Sequence, residues 1–345
     1  MSKTYYRPLG LCYGSDAEQL VASQRAGRLG GSSTIGFTLV ERISRDGKTV
    51  TREIIPYADA LPAIEAPRGD FSGVALDAPG IMGIVNVTPD SFSDGGRHGT
   101  AETGALHGLA LAGQGAHILD VGGESTRPGS HAVSTDEELS RVIPVVKRLS
   151  DAGHVVSVDT RKAAVMREAV KAGAAIINDV SALQHDPDSL RAVAELKVPV
   201  VLMHAQGDPR TMQLNPHYDD VVLDVYDQLE QRVMACVQAG ISRSRIAIDP
   251  GIGFGKTFRH NLELLNQLTL FHGLGVVVLV GLSRKGFVGA LTDEKNAGSR
   301  VHGSVGGAVQ AAQNGVHILR VHDVKATVEA LAVARAALDP RSTEF

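Results

Sequence analysis

Polar and charged residues follow eight short apolar segments of this chain, at the point where each segment ends. These residues are Asn86, Gly122 to Thr126, Asp159 to Arg161, Asn178 and Asp179, Met203 and His204, Asp249 to Gly251, Ser283 to Lys285, and Arg320 to Asp323. Arg127, Arg320 and protonatable His322 offer positive charge, and glycine-rich turns offer backbone N–H groups, which together suit a phosphate or pyrophosphate anion. The carboxylates suit the N–H groups of a planar ring. The sequence therefore predicts a pocket for an anion and a heterocycle.

The elements that must position these residues repeat one pattern from about residue 81 onward. A short run rich in Val, Ile and Leu is followed by a polar or glycine-containing turn and then by a segment of helical length. Strands are predicted to begin near Ile81, His117, Val155, Ala175, Val200, Ile246, Val277 and His317. Eight βα units favour a TIM (β/α)8 barrel, in which the loops after the strands form the active site. An open, doubly wound sheet ranks second, because no dinucleotide glycine fingerprint follows the first strand.

The first part of the chain has a different pattern, so residues 1–75 are predicted to form an extension and residues 76–345 the (β/α)8 catalytic domain. Phe37 to Ile43 and Val50 to Ile55 flank Asp46-Gly47, a spacing that predicts a β-hairpin. Features that stabilise a barrel collect at the N-terminal ends of its strands. The hairpin is therefore expected to plug that end, away from the active site. A partner-binding role is the alternative.

Composition and cysteine content narrow the classes of partner. A net charge of −4 gives no electrostatic basis for binding nucleic acid or an acidic membrane surface. The N-terminus has no apolar signal segment, and the longest apolar run is too short to cross a bilayer. Cys12 and Cys236 are too few for a disulfide framework or a zinc site. We therefore expect a cytoplasmic protein with small-molecule partners and no nucleic acid or membrane partner.

Two local patterns are assigned no catalytic role. Gly251 to Thr257 is similar to a phosphate-binding P-loop, but the required first glycine falls on Pro250, which excludes a nucleoside triphosphate site. His204, directly after the fifth predicted strand, is interpreted as structural.

Three segments carry a resemblance to a known family: Asn86 to Gly96, Asp120 to Gly129 and Asp249 to Lys256. With the other strand ends, in this order, they resemble dihydropteroate synthases over about residues 80 to 335. The resemblance implies a TIM barrel that condenses 6-hydroxymethyl-7,8-dihydropterin pyrophosphate with 4-aminobenzoate in folate biosynthesis, giving 7,8-dihydropteroate and pyrophosphate. It also implies a homodimer and a site at which sulfonamides compete with 4-aminobenzoate.

The resemblance carries over to individual side chains. The implied pterin contacts are Asp159, Asn178, Met203, Asp249, Phe254, Gly281 and Lys285. The implied pyrophosphate contacts are Asn86, Thr126, Arg127, Arg320 and His322. The implied aminobenzoate contacts are Phe92, Pro128, Ser283 and Lys285. Asn86 is also expected to help hold Mg²⁺ as a cofactor, because this ion keeps several waters and is shared with substrate phosphates.

The family's reaction implies that pyrophosphate leaves first, and that the neutral aniline nitrogen then attacks a methylene cation delocalised into the dihydropterin. Catalysis is assigned to Asp94, Asp159, Asp249, Lys285, Arg320 and His322. Mg²⁺, Arg320 and His322 are expected to stabilise the leaving charge, and Asp159 and Asp249 to lie near the cation. Asp94 is expected to accept a hydrogen bond that helps close the site.

Two other functions compete with this interpretation. A pterin-binding methyltransferase would share pterin recognition but would not use the predicted pyrophosphate and aminobenzoate residues. A catalytically silent pterin-binding protein would be favoured if Arg320, Lys285 or Asp94 were absent, and all three are present. The synthase is therefore the leading interpretation.

Overall fold

The structure, a computed structural model, describes residues 2–87, 97–124, 133–207 and 211–342. The N-terminal part is an antiparallel sheet of four strands with two short helices. In chain order these elements are β1 (Lys3–Tyr13), α1 (Gly14–Ala22), β2 (Gly27–Arg28), β3 (Ile35–Asp46), β4 (Thr49–Pro56) and α2 (Pro62–Glu65). Strand β3 pairs with each of the other three strands. We call residues 3–56 the N-terminal sheet.

Eight parallel strands follow, and they close into a barrel. They are β5 (Gly80–Asn86), β6 (Ile118–Gly122), β7 (Val155–Asp159), β8 (Ile176–Asp179), β9 (Val200–Met203), β10 (Ile246–Asp249), β11 (Val277–Val280) and β12 (Ile318–Val321). Each strand pairs with the next, and β12 pairs with β5. Each begins within one residue of its predicted start, and the closure of β12 on β5 excludes the open sheet. The prediction of a TIM barrel is confirmed.

Helices connect the barrel strands and surround them. They are α3 (Arg97–Gly113), α4 (Thr135–Asp151), α5 (Ala163–Lys171), α6 (Ser189–Leu196), α7 (Val221–Gln238), α8 (Phe258–Asn266), α9 (Gly286–Thr292), α10 (Val301–Gln313) and α11 (Val324–Leu338). Local sequence sets their ends: the Ser134 hydroxyl accepts a hydrogen bond from the N–H of Glu137 at 3.2 Å, which caps the start of α4. Among the described residues, no helix is both long and apolar enough to span a membrane.

The barrel interior changes from apolar to polar along the strands. Ile118, Ile176, Ala247 and Ile318 belong to one buried apolar cluster in the N-terminal half of the barrel. Because side chains alternate between the two faces of a strand, the residue two positions later points into the same interior. Those residues are Asp120, Asn178, Asp249 and Arg320. The strands thus place an apolar layer beneath a polar one.

The hairpin prediction is confirmed in its pairing and wrong in its location. Strands β3 and β4 pair from Asp46 with Thr49 to Leu39 with Pro56. The N-terminal end of the barrel is instead closed by Phe71 and Val74, which are buried against the apolar interior layer. The hairpin lies beside α7, where Arg45 pairs with Asp224 at 2.6 Å. Its arginines need carboxylate partners, and α7 provides them, whereas an apolar barrel end does not.

Candidate active site

A buried polar cluster joins four strands at the C-terminal end of the barrel. The Nε of Arg320 on β12 donates to Asp120 Oδ2 on β6 at 2.6 Å, and its NH2 group donates to Asp159 Oδ2 on β7 at 2.8 Å. The side-chain amide of Asn178 on β8 donates to the same oxygen of Asp120 at 3.1 Å. One guanidinium therefore holds two carboxylates, and the structure brings together three of the predicted site residues.

The charges in this cluster are strongly coupled. Burial alone would lower the pKa of Arg320, but the carboxylates of Asp120 and Asp159 raise it. Burial raises the pKa of Asp159, while Arg320 opposes that shift. With both aspartates ionised the cluster carries one more negative than positive charge, and the raised pKa of Asp159 reduces that surplus as its carboxyl takes up a proton.

Asp249 adds a further carboxyl group at the end of β10. Burial raises its pKa to about 6, against the opposing hydrogen bond from Gly251 N–H and the charge of Lys285. Its Oδ1 accepts that bond at 2.7 Å. Gly281 lies between this residue and Arg320: a Cβ added there would lie 3.7 Å from Asp249 Oδ2 and 3.7 Å from Arg320 Cβ. These are ordinary contact distances, so protein crowding does not explain the glycine.

The β10–α8 loop, residues 250–257, forms one wall of the site. Gly251, Gly253 and Gly255 all have positive φ values, between 62° and 85°. A Cβ at Gly251 would lie 1.8 Å from the carbonyl oxygen of His204, and one at Gly255 would lie 2.3 Å from that of Gln206. Glycine is therefore needed at both positions. The loop presents the ring of Phe254, over which Lys285 Nζ lies at 3.9 Å from the ring centroid.

Lys256 ties this loop to the loop after β9. Its Nζ donates to His204 Nδ1 at 2.9 Å and to the Phe254 carbonyl at 3.0 Å. Burial lowers the pKa of this lysine to about 7, and the nearby Asp249 opposes the shift. Burial also lowers the pKa of His204, and Lys256 adds to that effect, so the imidazole is neutral. The pair holds the backbone of Phe254 in place, and the predicted pterin residue Met203 is buried at the end of β9.

Ser283 and His322 lie together at the ends of β11 and β12. The backbone N–H of His322 donates to Ser283 Oγ at 3.2 Å, and His322 Nδ1 lies 3.1 Å from the same oxygen. Beside them, Arg284 Nε donates to Asp323 Oδ2 at 3.0 Å. The predicted aminobenzoate residue Ser283 and the predicted pyrophosphate residue His322 are therefore in direct contact.

Asn86 and the base of the next loop complete the described mouth of the barrel. Asn86 ends β5 opposite Gly122 of β6, and Gly122 in turn pairs with Asp159. Lys162 Nζ contacts Glu124 Oε2 at 3.0 Å and the Val133 carbonyl at 2.7 Å, and so joins the residues that flank positions 125–132. Five predicted site residues lie outside the described residues: Phe92, Asp94, Thr126, Arg127 and Pro128.

Two residues of the site were not predicted individually. Asp120 is fully buried in the middle of a strand, a position where a charge must be paired. That rule, applied to the sequence Ile-Leu-Asp-Val-Gly, could have identified it. Lys256 lies in the segment rejected as a nucleoside triphosphate site and was given no role of its own, although its buried side-chain nitrogen joins two loops. Conversely, Asp179 beside Asn178 turns away from the pocket and accepts from Ser181 N–H at 2.7 Å and Leu183 N–H at 3.1 Å.

Comparisons with known proteins agree with this arrangement. The model of the family described as pterin binding enzyme matches residues 82–322. A dihydropteroate synthase of Escherichia coli is 48% identical over 275 residues, covering 79% of this chain and 97% of that protein. A Bacillus subtilis dihydropteroate synthase is 47% identical over 246 residues, covering 71% of this chain and 84% of the relative.

Solved structures give the same result. The dihydropteroate synthase of Xanthomonas albilineans in complex with 7,8-dihydropteroate has a TM-score of 0.72 and 51% identity, and the match covers 79% of this chain and 99% of that one. A structure of the same enzyme with 4-aminobenzoic acid has a TM-score of 0.73 and 55% identity, covering 77% and 95% of the two chains. The chain therefore belongs to the dihydropteroate synthase family of pterin-binding enzymes.

Proposed function

We propose that this protein condenses 6-hydroxymethyl-7,8-dihydropterin pyrophosphate with 4-aminobenzoate to form 7,8-dihydropteroate and pyrophosphate, a step of folate biosynthesis. The observation that carries the proposal is the polar layer of Asp120, Asp159, Asn178, Asp249 and Arg320, closed on one side by Phe254 and Lys285. Its oxygens suit the N–H groups along one edge of a pterin, and its ring-lined wall suits the flat face of the heterocycle. Asp120 Oδ1 is buried and has no hydrogen-bond partner among the described residues, so it adds an acceptor.

The reaction breaks the bond between the pterin methylene carbon and the pyrophosphate oxygen, and that oxygen keeps the electron pair. The amine of 4-aminobenzoate then donates its lone pair to the carbon and afterwards loses a proton. The carboxylate forms of Asp159 and Asp249 stabilise the cation that forms in between. Because Arg320 is shared by two carboxylates, its main contribution in this proposal is to hold them in place, and His322 with Arg127 carries more of the interaction with the leaving anion.

The proposal includes Mg²⁺ as the cofactor, held by Asn86 together with the pyrophosphate oxygens. Among the described residues there is no group of three or more His, Cys, Asp or Glu side chains that could hold a metal. A single protein ligand, Asn86, fits an ion whose other ligands come largely from water and substrate phosphate, as those of Mg²⁺ commonly do. Asn86 would supply one neutral oxygen, and the bound ion would neutralise the charge that develops on the leaving group.

We also propose a cytoplasmic homodimer that sulfonamides inhibit by competing with 4-aminobenzoate at Ser283 and Lys285. The two free cysteines are in keeping with a reducing compartment. Phe258 and Leu262 on α8 and Leu291 on α9 are exposed apolar side chains on late barrel helices, as a second copy of this chain would require. Sedimentation of Phe258→Ser beside the parent chain tests the dimer, because a weakened dimer is expected in the variant.

The test of the main proposal is an assay that measures dihydropteroate and pyrophosphate together, with and without Mg²⁺. Equal molar amounts of the two products are expected, and omission of either substrate should stop both. Methyl transfer from a reduced folate in place of this condensation would favour the methyltransferase. Pterin binding without either product would favour a catalytically silent binding protein.

A further inference from the structure

The N-terminal sheet lies outside the matched residues 82–322, yet it contacts the barrel close to the site. Helix α7 begins just after the loop that follows β9, so its first turn is at the active-site end of the barrel. Arg45 NH1 contacts Asp224 Oδ1 in that first turn at 2.6 Å. Arg52 NH2 contacts Asp220 Oδ2, at the cap of the same helix, at 3.3 Å. The sheet is thus bound to the part of α7 nearest the catalytic loops.

Asp224 has a second oxygen that acts on the β9–α7 loop. Its Oδ2 accepts from the backbone N–H of Asp219 at 2.9 Å and from that of Asp220 at 3.3 Å. The Oδ1 of Asp220 caps α7 by accepting from Val222 and Leu223 N–H, each at 3.1 Å. Asp224 therefore binds Arg45 of the N-terminal sheet through one carboxylate oxygen and holds the last residues of the β9–α7 loop through the other.

Tyr218, the residue before Asp219, connects the end of the β9–α7 loop to the β10–α8 loop, which forms one wall of the site. Tyr218 donates its hydroxyl hydrogen to the Gly255 carbonyl at 2.7 Å. Its ring packs edge-on against His260 of α8, with centroids 5.1 Å apart. Gly255 lies between Phe254, whose ring lines this wall of the site, and Lys256, which ties the loop to the loop after β9. The hydroxyl of Tyr218 is thus a direct support of the β10–α8 loop.

We infer that the N-terminal sheet positions the β10–α8 loop, which contacts the pterin in the proposed function. Arg45, Asp224 and Tyr218 are the connected positioning residues. The inference rests on the proposed function only in naming the ligand of that loop. A break in the connection should weaken binding of the pterin substrate more than turnover at saturation, because these residues support Phe254 and Lys256 and none of them belongs to the buried polar layer.

If the sheet had a purely structural role, loss of either cation that anchors it to α7 should have the same effect. A variant of Lys3 therefore distinguishes this alternative from the inference. Lys3 Nζ pairs with Asp227 and Glu230, each at 2.5 Å, farther along the same face of α7. It anchors the same sheet to the same helix, but it makes no hydrogen bond or ion pair with the β9–α7 loop as far as that loop is described. Lys3→Met is therefore the matched control for Arg45→Met: both remove a partly buried cation at this interface, and only one of them reaches Asp224.

The experiment compares the full-length parent, Arg45→Met, Asp224→Asn, Tyr218→Phe and Lys3→Met. Hydrogen exchange of the amides of residues 251–256, followed by mass spectrometry, measures the protection of the loop without any substrate. Calorimetry in the absence of 4-aminobenzoate measures the affinity for the dihydropterin pyrophosphate. We expect faster exchange and an affinity loss of about three- to tenfold in the first three variants, the range of one lost hydrogen bond, with less than about a twofold change in Lys3→Met.

Unchanged exchange at residues 251–256 in Arg45→Met would overturn the inference, as would equal effects of Arg45→Met and Lys3→Met on exchange. An effect of Tyr218→Phe alone would confine the support to the barrel and remove the sheet from it. Failure of the parent to bind the pterin would count against the proposed function instead, because the exchange measurement still decides whether the sheet supports the loop.

Discussion

Charged side chains serve different purposes in the polar layer of the barrel and at the junction of the N-terminal sheet with α7. In the barrel, Asp120 is fully buried and Arg320 is shared between two carboxylates. At the junction, Lys48 and Asp219 lie 3.7 Å apart with exposed side chains, and Arg45 and Asp224 are partly buried. Burial makes a charge costly unless it is paired, whereas exposure makes a pair weak. The buried, paired charges of the first region thus suit ligand binding, and the more exposed pairs of the second attach the N-terminal sheet to α7.

The largest effect is expected from Asp120→Ala. This substitution leaves the Arg320 guanidinium with one of its two carboxylates and removes the acceptor of the Asn178 amide. Loss of one partner from a buried ion pair costs about 3 to 5 kcal/mol of unfolding free energy. Urea unfolding measures this change. A loss below about 1 kcal/mol would mean that solvent reaches the cluster and that the contrast between the two regions is smaller than the structure indicates.

Asp159→Asn tests the polar layer as a binding site. An amide in place of the carboxylate keeps one acceptor oxygen, so it must present a donor to one of two groups that need an acceptor, Arg320 or a pterin N–H. A charge-assisted hydrogen bond contributes about 1.5 to 3 kcal/mol, so pterin affinity should fall roughly 10- to 100-fold. Calorimetry checks this directly. Unchanged affinity in a folded variant would remove Asp159 from the pterin site.

A pH effect is expected where the extension meets the N-terminal end of the barrel. Burial lowers the pKa of His272 to about 4, with a further contribution from Arg68. His317 lies against it, with ring centroids 5.3 Å apart, and burial likewise lowers the pKa of that ring. The unfolded chain takes up a proton on His272 below about pH 6.5, whereas the folded chain does so only near pH 4. Stability is therefore lost as the pH falls through this window.

For His272 the loss between pH 7 and pH 5 is about 2 kcal/mol. Urea unfolding of the parent and of His272→Gln at both pH values isolates this contribution, since the carboxylates are common to both chains. The variant should lose about 2 kcal/mol less than the parent over that range. Identical pH dependence would show that the His272 ring becomes protonated in the folded protein as readily as in water.

Much of the fold followed from the sequence because the barrel strands are buried on both faces. Runs such as Val277–Val280 are continuous in apolar residues, so each strand start was predicted to within one residue. Strand β1 was missed, because Pro8 and Gly10 interrupt its pattern. It pairs only with β3, and an edge strand tolerates proline. The position of the hairpin was missed too, since it depends on carboxylates of α7 that are distant in sequence.

The site was predictable to the extent that strand ends reveal it. Asp159, Asn178, Asp249 and Arg320 were singled out because each lies at the end of a strand or one residue before it, and register then brings them together. Asp120 lies two residues before the end of its strand, and Lys256 lies in a loop whose glycines suggested another motif. Their importance depends on partners in other βα units, Arg320 and His204 respectively. Such pairings are set by barrel closure, which no local pattern encodes.

The smallest effects should separate two arginines on one strand. Arg45 and Asp224 have side chains 16% and 20% exposed, whereas Arg42 and its partner Glu53 are 45% and 52% exposed. Double-mutant cycles should give a coupling energy of about 1 to 2 kcal/mol for the first pair and about 0 to 1 kcal/mol for the second.

Added salt should increase the difference between the two couplings. At 1 M the screening length is only about 3 Å, so the exposed pair should lose its coupling while the partly buried pair keeps most of it. Asp224 is also held by two backbone N–H groups, which keep its carboxylate oriented toward Arg45 without further loss of side-chain entropy. Equal couplings with equal salt dependence would mean that this orientation contributes nothing to the attachment of the N-terminal sheet.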